Sequence, residues 1–282
     1  MDTVATQIDD LINDVRLNRE REEAGLPVSD TGPANLIFSG PSGTGKTTIA
    51  NLVAPLYHAL GITPSSKIVS VNPADLYGSF LGVTQEKVQQ AFKDAKGGVL
   101  FIDEAYGLVT QDRGNRDIYG LQALAVMASE MTKNPDTVVI LAGYEKNLKE
   151  MLSNNEGMPR RFQRVINFKR FDQDERFDIL LGALDEGKYK LASPDLMDAL
   201  EDSVLDTGGG NAGDVQNLAL EILSAQKQRL SVEKPAEDRK AQLATITAAD
   251  IKTGSKRYRE MGSVTDPLRG ALVPTSRKRK VA

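Results

Sequence analysis

The sequence has no cysteine, no tryptophan, a single histidine and only 5% aromatic residues. Without cysteine there is no disulfide framework, no thiolate metal site and no cysteine nucleophile, a usage that fits a reducing compartment. The lone histidine, His58, cannot build a metal cluster, and its place in a helical stretch reads as packing or surface rather than catalysis. With so few aromatics the core has to be aliphatic. At 40% hydrophobic over 282 residues, the chain can bury such a core without a staple. No run approaches the roughly 20 apolar residues that span a bilayer. The opening MDTVATQIDD is too acidic and polar for a secretory signal. The expectation is a soluble protein, cytoplasmic or otherwise intracellular.

The net charge is −4, unevenly placed. Arg277, Lys278, Arg279 and Lys280 stand together near the end, so the rest of the chain is more acidic than the total implies. An acidic body opposes duplex-DNA binding driven by phosphate neutralisation. The segment SRKRKV has the composition of a nuclear-import signal or of a contact for nucleic acid or an acidic partner.

Along the chain, Ile8, Leu11, Ile12 and Val15 recur at helical spacing, and Gly25, Pro27, Gly32 and Pro33 break the pattern. Short aliphatic runs then alternate with helical stretches. Strands are expected at 35–39, 67–71, 99–102, 137–142 and 165–168, and helices at 46–60, 84–96 and 117–131. Continuous aliphatic strands between helices imply an α/β domain whose parallel sheet is covered on both faces. From Phe171 the strand signals stop and four helical segments follow, with Asp172, Ser193 and Asn211 as N-caps. The organisation expected is an N-terminal helix and linker (1–34), an α/β domain (35–170), a small helical domain (171–261) and a basic tail (262–282) expected to be disordered.

GPSGTGKT, residues 40–47, follows one of these strands and opens a helix. That context identifies a phosphate-binding loop. Its glycines let successive N–H groups turn inward onto phosphate oxygens, and the helix N-terminus adds its dipole. The cofactor expected is Mg²⁺ with a nucleoside triphosphate, ATP. It would be held by Gly40, Pro41, Ser42, Gly43, Thr44, Gly45, Lys46, Thr47 and Thr48, with Lys46 on the β- and γ-phosphates and the Thr47 hydroxyl on Mg²⁺. The strand VLFI ends in Asp103-Glu104, at the sheet edge where such folds bind ligands. Asp103 would hold the metal. Glu104 would polarise an attacking water, which argues for hydrolysis.

Several linked motifs in order make the chain resemble the AAA+ ATPases. Within them it resembles the CbxX/CfqX-type family, which includes red-type Rubisco activases and type VII secretion ATPase domains. The motifs are LINDVRLNREREEAGLP, the phosphate loop, DLYGSFLGVT, GGVLFIDEAYGL, VVILAGY and GMPRRFQRVINF, within a resemblance running from about Leu11 to about Leu230. It implies five parallel strands flanked by helices, then a helical lid, and a ring of subunits, usually six, with ATP at each boundary. In GMPRRFQRV it implies an arginine finger reaching a neighbour's γ-phosphate: Arg161 first, with Arg160 and Arg164 as alternates. Phe80, Leu81 and Gly82 fall where such rings carry the pore loop that grips a threaded polypeptide.

The sequence also departs from that family. AGY stands where many AAA+ proteins place an asparagine, although this branch commonly shows AGY as well; Gln122 replaces a usual acidic residue, and Gly213 occupies the place of the lid arginine. These changes bear on the rate of hydrolysis, not on binding. The leading reading is therefore a ring-forming ATPase that remodels a protein client through its pore. The alternatives are a nucleotide-gated assembly or clamp module with little turnover, a DNA-acting AAA+ protein, and, weaker, a small-molecule kinase.

Overall fold

The structure, a computed structural model, describes residues 3–27, 34–78, 81–109 and 117–265. The chain divides into two compact units, Met1–Lys169 and Arg170–Ala282.

The first unit opens with helix α1 (Val4–Glu23), whose N-cap Thr3 accepts the Thr6 N–H. It continues through strand β1 (Leu36–Ser39), α2 (Lys46–Ala59), β2 (Ile68–Val71) and the four-residue α3 (Pro73–Leu76). Next come α4 (Leu81–Asp94), β3 (Val99–Ile102), α5 (Ile118–Lys133), β4 (Val138–Gly143), α6 (Glu145–Ser153) and β5 (Arg164–Asn167). All five strands are parallel, in the order β2-β3-β4-β1-β5.

Successive residues of the aliphatic strands point to opposite faces, which is why both faces need cover. Leu36, Phe38, Phe101 and Ile140 pack with Ala50, Val53, Ala54 and Tyr57 of α2 and Leu11 of α1. Ile37, Leu100, Ile102, Val139 and Leu141 pack on the other face, with Val88 and Phe92 of α4, Leu124 and Met127 of α5, and Leu148 and Met151 of α6. Strand β5 is an edge, and α1 covers it. The Gln7 side chain accepts the Asn167 N–H (2.8 Å) and donates to the Asn167 carbonyl (3.3 Å), so one amide satisfies edge groups that would otherwise invite another strand.

The second unit contains α7 (Gln173–Glu186), β6 (Lys190–Leu191), α8 (Leu196–Val204), α9 (Ala212–Val232), α10 (Arg239–Ala244), β7 (Thr245–Ile246) and α11 (Ala248–Thr265). Its core is mostly aliphatic: Leu180, Leu184, Leu200, Val204, Val215, Leu218, Ile222 and Ile251 cluster with the buried Tyr258, and the partly buried Phe177 and Tyr189 pack against them. The expectation of no strands beyond Phe171 is corrected by β6 and β7, which pair in parallel over two residues each. Runs that short carry no alternation to read. Asp172 caps α7 in a capping box with Glu175, whereas Ser193 turns the chain ahead of α8 by accepting the Asp195 N–H (3.4 Å). Among the described residues, no helix is long and apolar enough to cross a membrane. The basic tail lies outside the described residues.

Candidate functional site

The phosphate-binding loop joins β1 to α2. It is fastened at one end by the Gly40 N–H, which donates to the Gly143 carbonyl at the end of β4 (3.0 Å). Inside the loop the buried Thr44 hydroxyl donates to the Pro41 carbonyl (2.9 Å). Gly45 is the N-cap of α2, at φ 87°, in the left-handed region that costs a side-chain-bearing residue about 1–2 kcal/mol. No side chain caps α2. The first-turn N–H groups, which have no intrahelical acceptor, are therefore left for an anion.

Lys46 is 5% exposed, and its ammonium donates to the carbonyls of Gly40 (3.0 Å) and Pro41 (2.7 Å). Burial pulls its pKa below the ordinary lysine value, while the charges of Glu104 and Asp103 push the other way. The ammonium thus lies in the field of both carboxylates. Directly after it, the Thr47 hydroxyl donates to Asp103 Oδ2 at 3.1 Å. The sheet order explains this meeting. β1 and β3 flank β4, so the residues leaving their carboxyl ends converge across the end of β4.

The other oxygen of Asp103, Oδ1, accepts the Glu104 N–H (3.0 Å). Glu104 itself is left-handed, at φ 49° and ψ 40°, and leads into a short 3₁₀ turn, Ala105–Leu108. For a glutamate this conformation costs about 1–2 kcal/mol, which its surroundings must offset. The turn is anchored by Ala105 and Leu108, both fully buried. The neighbouring Glu104 carboxylate, followed by burial, pushes the Tyr106 phenol up to about 12. Glu104 Oε2 is shielded from solvent and has no hydrogen-bond partner. Tyr106 was not among the residues selected from the sequence; its signal was an aromatic hydroxyl two positions after the candidate base.

These residues fit Mg²⁺ and a nucleoside triphosphate. An alcohol and a carboxylate, both hard oxygen donors, stand 3.1 Å apart beside an uncapped helix N-terminus. Mg²⁺ is usually held by one or two carboxylates together with substrate phosphates. The described residues contain no cluster of three or more His, Cys, Asp or Glu side chains able to hold a metal.

The three arginines take different places. Arg164 pairs with Asp14 of α1 (3.0 Å), so its charge joins β5 to that helix. Arg161 donates to the Gly157 carbonyl (2.6 Å) and to the Thr132 hydroxyl (2.8 Å), which fixes its guanidinium. Arg160 is exposed. Both line a surface cleft of about 760 Å³ with Thr132, Lys133, Asn155 and Glu156. Of the pore-loop residues, Phe80 lies outside those described, while Leu81 and Gly82 form the first turn of α4. The expected loop is thus helical by residue 81, three residues earlier than the apolar spacing suggested. His58 engages the Thr63 carbonyl through Nδ1 (3.1 Å), a packing contact at the end of α2. Gln122 Oε1 is buried and unpartnered.

In the second unit, α9 begins one residue before Gly213. Its N-cap Asn211 forms a capping box with Asp214, whose carboxylate accepts the Asn211 N–H (3.1 Å) and the Tyr258 hydroxyl (3.1 Å). Space around Gly213 is open; an added Cβ would meet nothing within 4 Å.

Residues 36–170 match the ATPase family associated with various cellular activities (AAA), and residues 172–261 match the AAA lid domain. The chloroplastic ribulose bisphosphate carboxylase/oxygenase activase of Cyanidioschyzon merolae is 31% identical over 255 residues, covering 89% of this chain and 86% of that protein. Protein CbbX of Cereibacter sphaeroides is 38% identical over 176 residues, covering 62% of this chain and 56% of that protein. The ESX-3 secretion system protein EccA3 of Mycolicibacterium smegmatis is 34% identical over 269 residues, covering 89% of this chain. The chain spans only 44% of that EccA3, less than half its length. A phosphate loop at the end of β1, an acidic pair at the end of β3 and a separate helical unit, matched in order over most of the chain, place this protein in the AAA family of ATPases, with the CbxX/CfqX-type members.

Proposed function

We propose that this chain is the subunit of an ATP-driven ring that remodels a protein client. The observation that carries the reading is the 3.1 Å contact between Thr47 and Asp103, which unites two motifs 56 residues apart into one metal-binding corner with Glu104 beside it. Thr47 and Asp103 hold Mg²⁺, which when bound neutralises charge on the phosphates. Gly43, Gly45 and the α2 N-terminus take the phosphate oxygens, and Lys46 exchanges its two loop carbonyls for phosphate. Glu104 accepts a proton from the attacking water, general-base work worth roughly 10²–10⁴ in rate. Arg161, with Arg160 as alternate, reaches the γ-phosphate of the next subunit. The Phe80-Leu81-Gly82 segment contacts the client. One relative is named for activating an enzyme and another for a secretion system. Only the general class, a protein client, is carried over to this chain.

The test is Glu104→Gln in the assembled protein. Hydrolysis is expected to fall at least about 100-fold with ATP binding retained; a variant that turned over at the normal rate would remove Glu104 from the mechanism. A second reading, a nucleotide-gated assembly module with little turnover, is favoured by Gly213 and the closed capping box of α9, which put no cation at the start of that helix. Ready steady-state turnover of the assembled wild type, stimulated by a client, dismisses it.

A further inference from the structure

Arg161 ends a short 3₁₀ turn, Pro159–Arg161, between α6 and β5. The buried side chains of Met158 and Phe162 anchor that turn on either side. Asn35, just ahead of β1, ties its backbone to the sheet. The buried Asn35 amide donates to the Arg161 carbonyl (3.1 Å) and accepts the Val139 N–H of β4 (2.7 Å). An arginine side chain is long and rich in rotamers, so a pinned backbone alone would leave its guanidinium free to swing.

The guanidinium is held separately. It donates to the Gly157 carbonyl (2.6 Å) and to the Thr132 hydroxyl of α5 (2.8 Å). A guanidinium only donates, so the threonine oxygen accepts there. The proton of that hydroxyl goes to the Ala128 carbonyl, one helical turn back (3.1 Å), which leaves a lone pair for Arg161. A second cation opposes this arrangement. A Cβ built on Gly157 would stand 3.0 Å from Arg161 Nη1 and 3.9 Å from Arg160 Nη2, so two guanidiniums converge above that glycine. No carboxylate pairs with either arginine among the described residues, whereas Lys133 of the same cleft is paired with Glu130 (2.8 Å). Like charges this close repel, and the bonds to Thr132 and Gly157 resist that repulsion. The cleft thus carries two cations whose charge no acid offsets, one of them fixed in direction.

We propose that Thr132 is a positioning residue for Arg161: its hydroxyl, oriented by the Ala128 carbonyl, holds the guanidinium so that the remaining N–H donors are presented to the γ-phosphate of the neighbouring subunit. The proposal rests on the reading of Arg161 given above. Thr132 touches neither nucleotide nor metal and acts only through the arginine. Its bond spares the ring the entropy of ordering a long side chain at the moment an anion arrives.

The experiment measures steady-state hydrolysis, ATP affinity and melting temperature of the assembled full chain for Thr132→Val, Thr132→Ser, Arg161→Ala and the double variant Thr132→Val/Arg161→Ala. Valine keeps the shape and the helix propensity of threonine and loses only the hydroxyl. Thr132→Val is expected to lower kcat about fivefold with Kd for ATP within about twofold, because the lost bond is made to a charged group that serves the neighbour's site. Thr132→Ser, which keeps the hydroxyl, should restore kcat to near the wild-type value. The double variant should be no slower than Arg161→Ala alone. In mixed assemblies, wild-type subunits should turn over more slowly beside Glu104→Gln/Thr132→Val subunits than beside Glu104→Gln subunits, since the threonine acts across the boundary. Wild-type kcat in Thr132→Val overturns the proposal, and so does a raised kcat, which would mean that the hydroxyl holds the arginine back. Equal losses of kcat and melting temperature in the valine and serine variants overturn it too, as the mark of a packing role. If Arg161→Ala hydrolyses ATP normally, the reading of Arg161 itself fails, whatever Thr132→Val does.

Discussion

Two helices of this protein begin in opposite ways. α2 starts at Lys46 behind a left-handed glycine with no side-chain cap, so its first turn is open to an anion. α9 starts at Ala212 behind Asn211, and Asp214 closes that end with a capping box braced by Tyr258. Every helix has the same orphan donors at its start. What differs is whether the sequence spends a side chain on them. An open N-terminus costs local stability and gains a binding site; a capped one gains about 1 kcal/mol and offers nothing to a phosphate. The contrast puts the means of holding phosphate in the first unit and structural closure at the head of α9.

The comparison breaks most easily at Lys46. Lys46→Ala should weaken ATP binding by about 2–3 kcal/mol, roughly 30- to 150-fold in Kd, because it removes a charge-assisted contact. Titration with a fluorescent ATP analogue checks it, and unchanged affinity would mean that the α2 end is not the phosphate site. Next in size, Asp214→Ala should lower the stability of the second unit by about 1 kcal/mol while ATP affinity stays put. Chemical denaturation paired with the same titration reads both numbers; a matching loss of affinity would show that the closed end does take part in binding. The smallest effect is expected for Gly213→Arg, which has open space around its Cβ. Its gain in helix propensity, under about 1 kcal/mol, is offset by a cation at a helix N-terminus, so the melting temperature should hardly move. Hydrolysis by the assembled protein should rise by up to about fivefold if an exposed cation there meets phosphate. A flat rate would assign α9 to closure alone.

Much of the fold was legible because its signals are local. The five aliphatic runs appear as strands within one or two residues of their expected ends; continuous burial leaves an uninterrupted apolar pattern in the central β1, β3 and β4, while the edge strands β2 and β5 are only partly buried. The elements that escaped are those too short to show a period. α3 is four residues set by a proline and a capping box, and β6 and β7 are two residues each. The start of α4 at Leu81 was missed because its first turn includes a glycine, Gly82, and shows no helical apolar repeat in the sequence. The site was legible in part. The loop and the acidic pair could be read as motifs, and the structure brings Thr47 and Asp103 into contact. The three arginines could not be told apart by spacing. Arg164 is tied to Asp14, 150 residues earlier in the chain, and Arg161 to Thr132, 29 residues away, and no local pattern encodes such partners.

The sequence by itself determined which segments are strands, where the phosphate-binding loop lies, and that an acidic pair ends one buried strand, because burial periodicity and glycine spacing act over a few residues. Only the tertiary structure decided that β4 stands between β1 and β3, so that Thr47 meets Asp103 across its end. It likewise decided that Glu104 turns left-handed and that the Tyr106 ring is held between Gly143 and Tyr144. Those outcomes depend on strand order and on contacts between residues far apart in the chain, which composition and spacing cannot express.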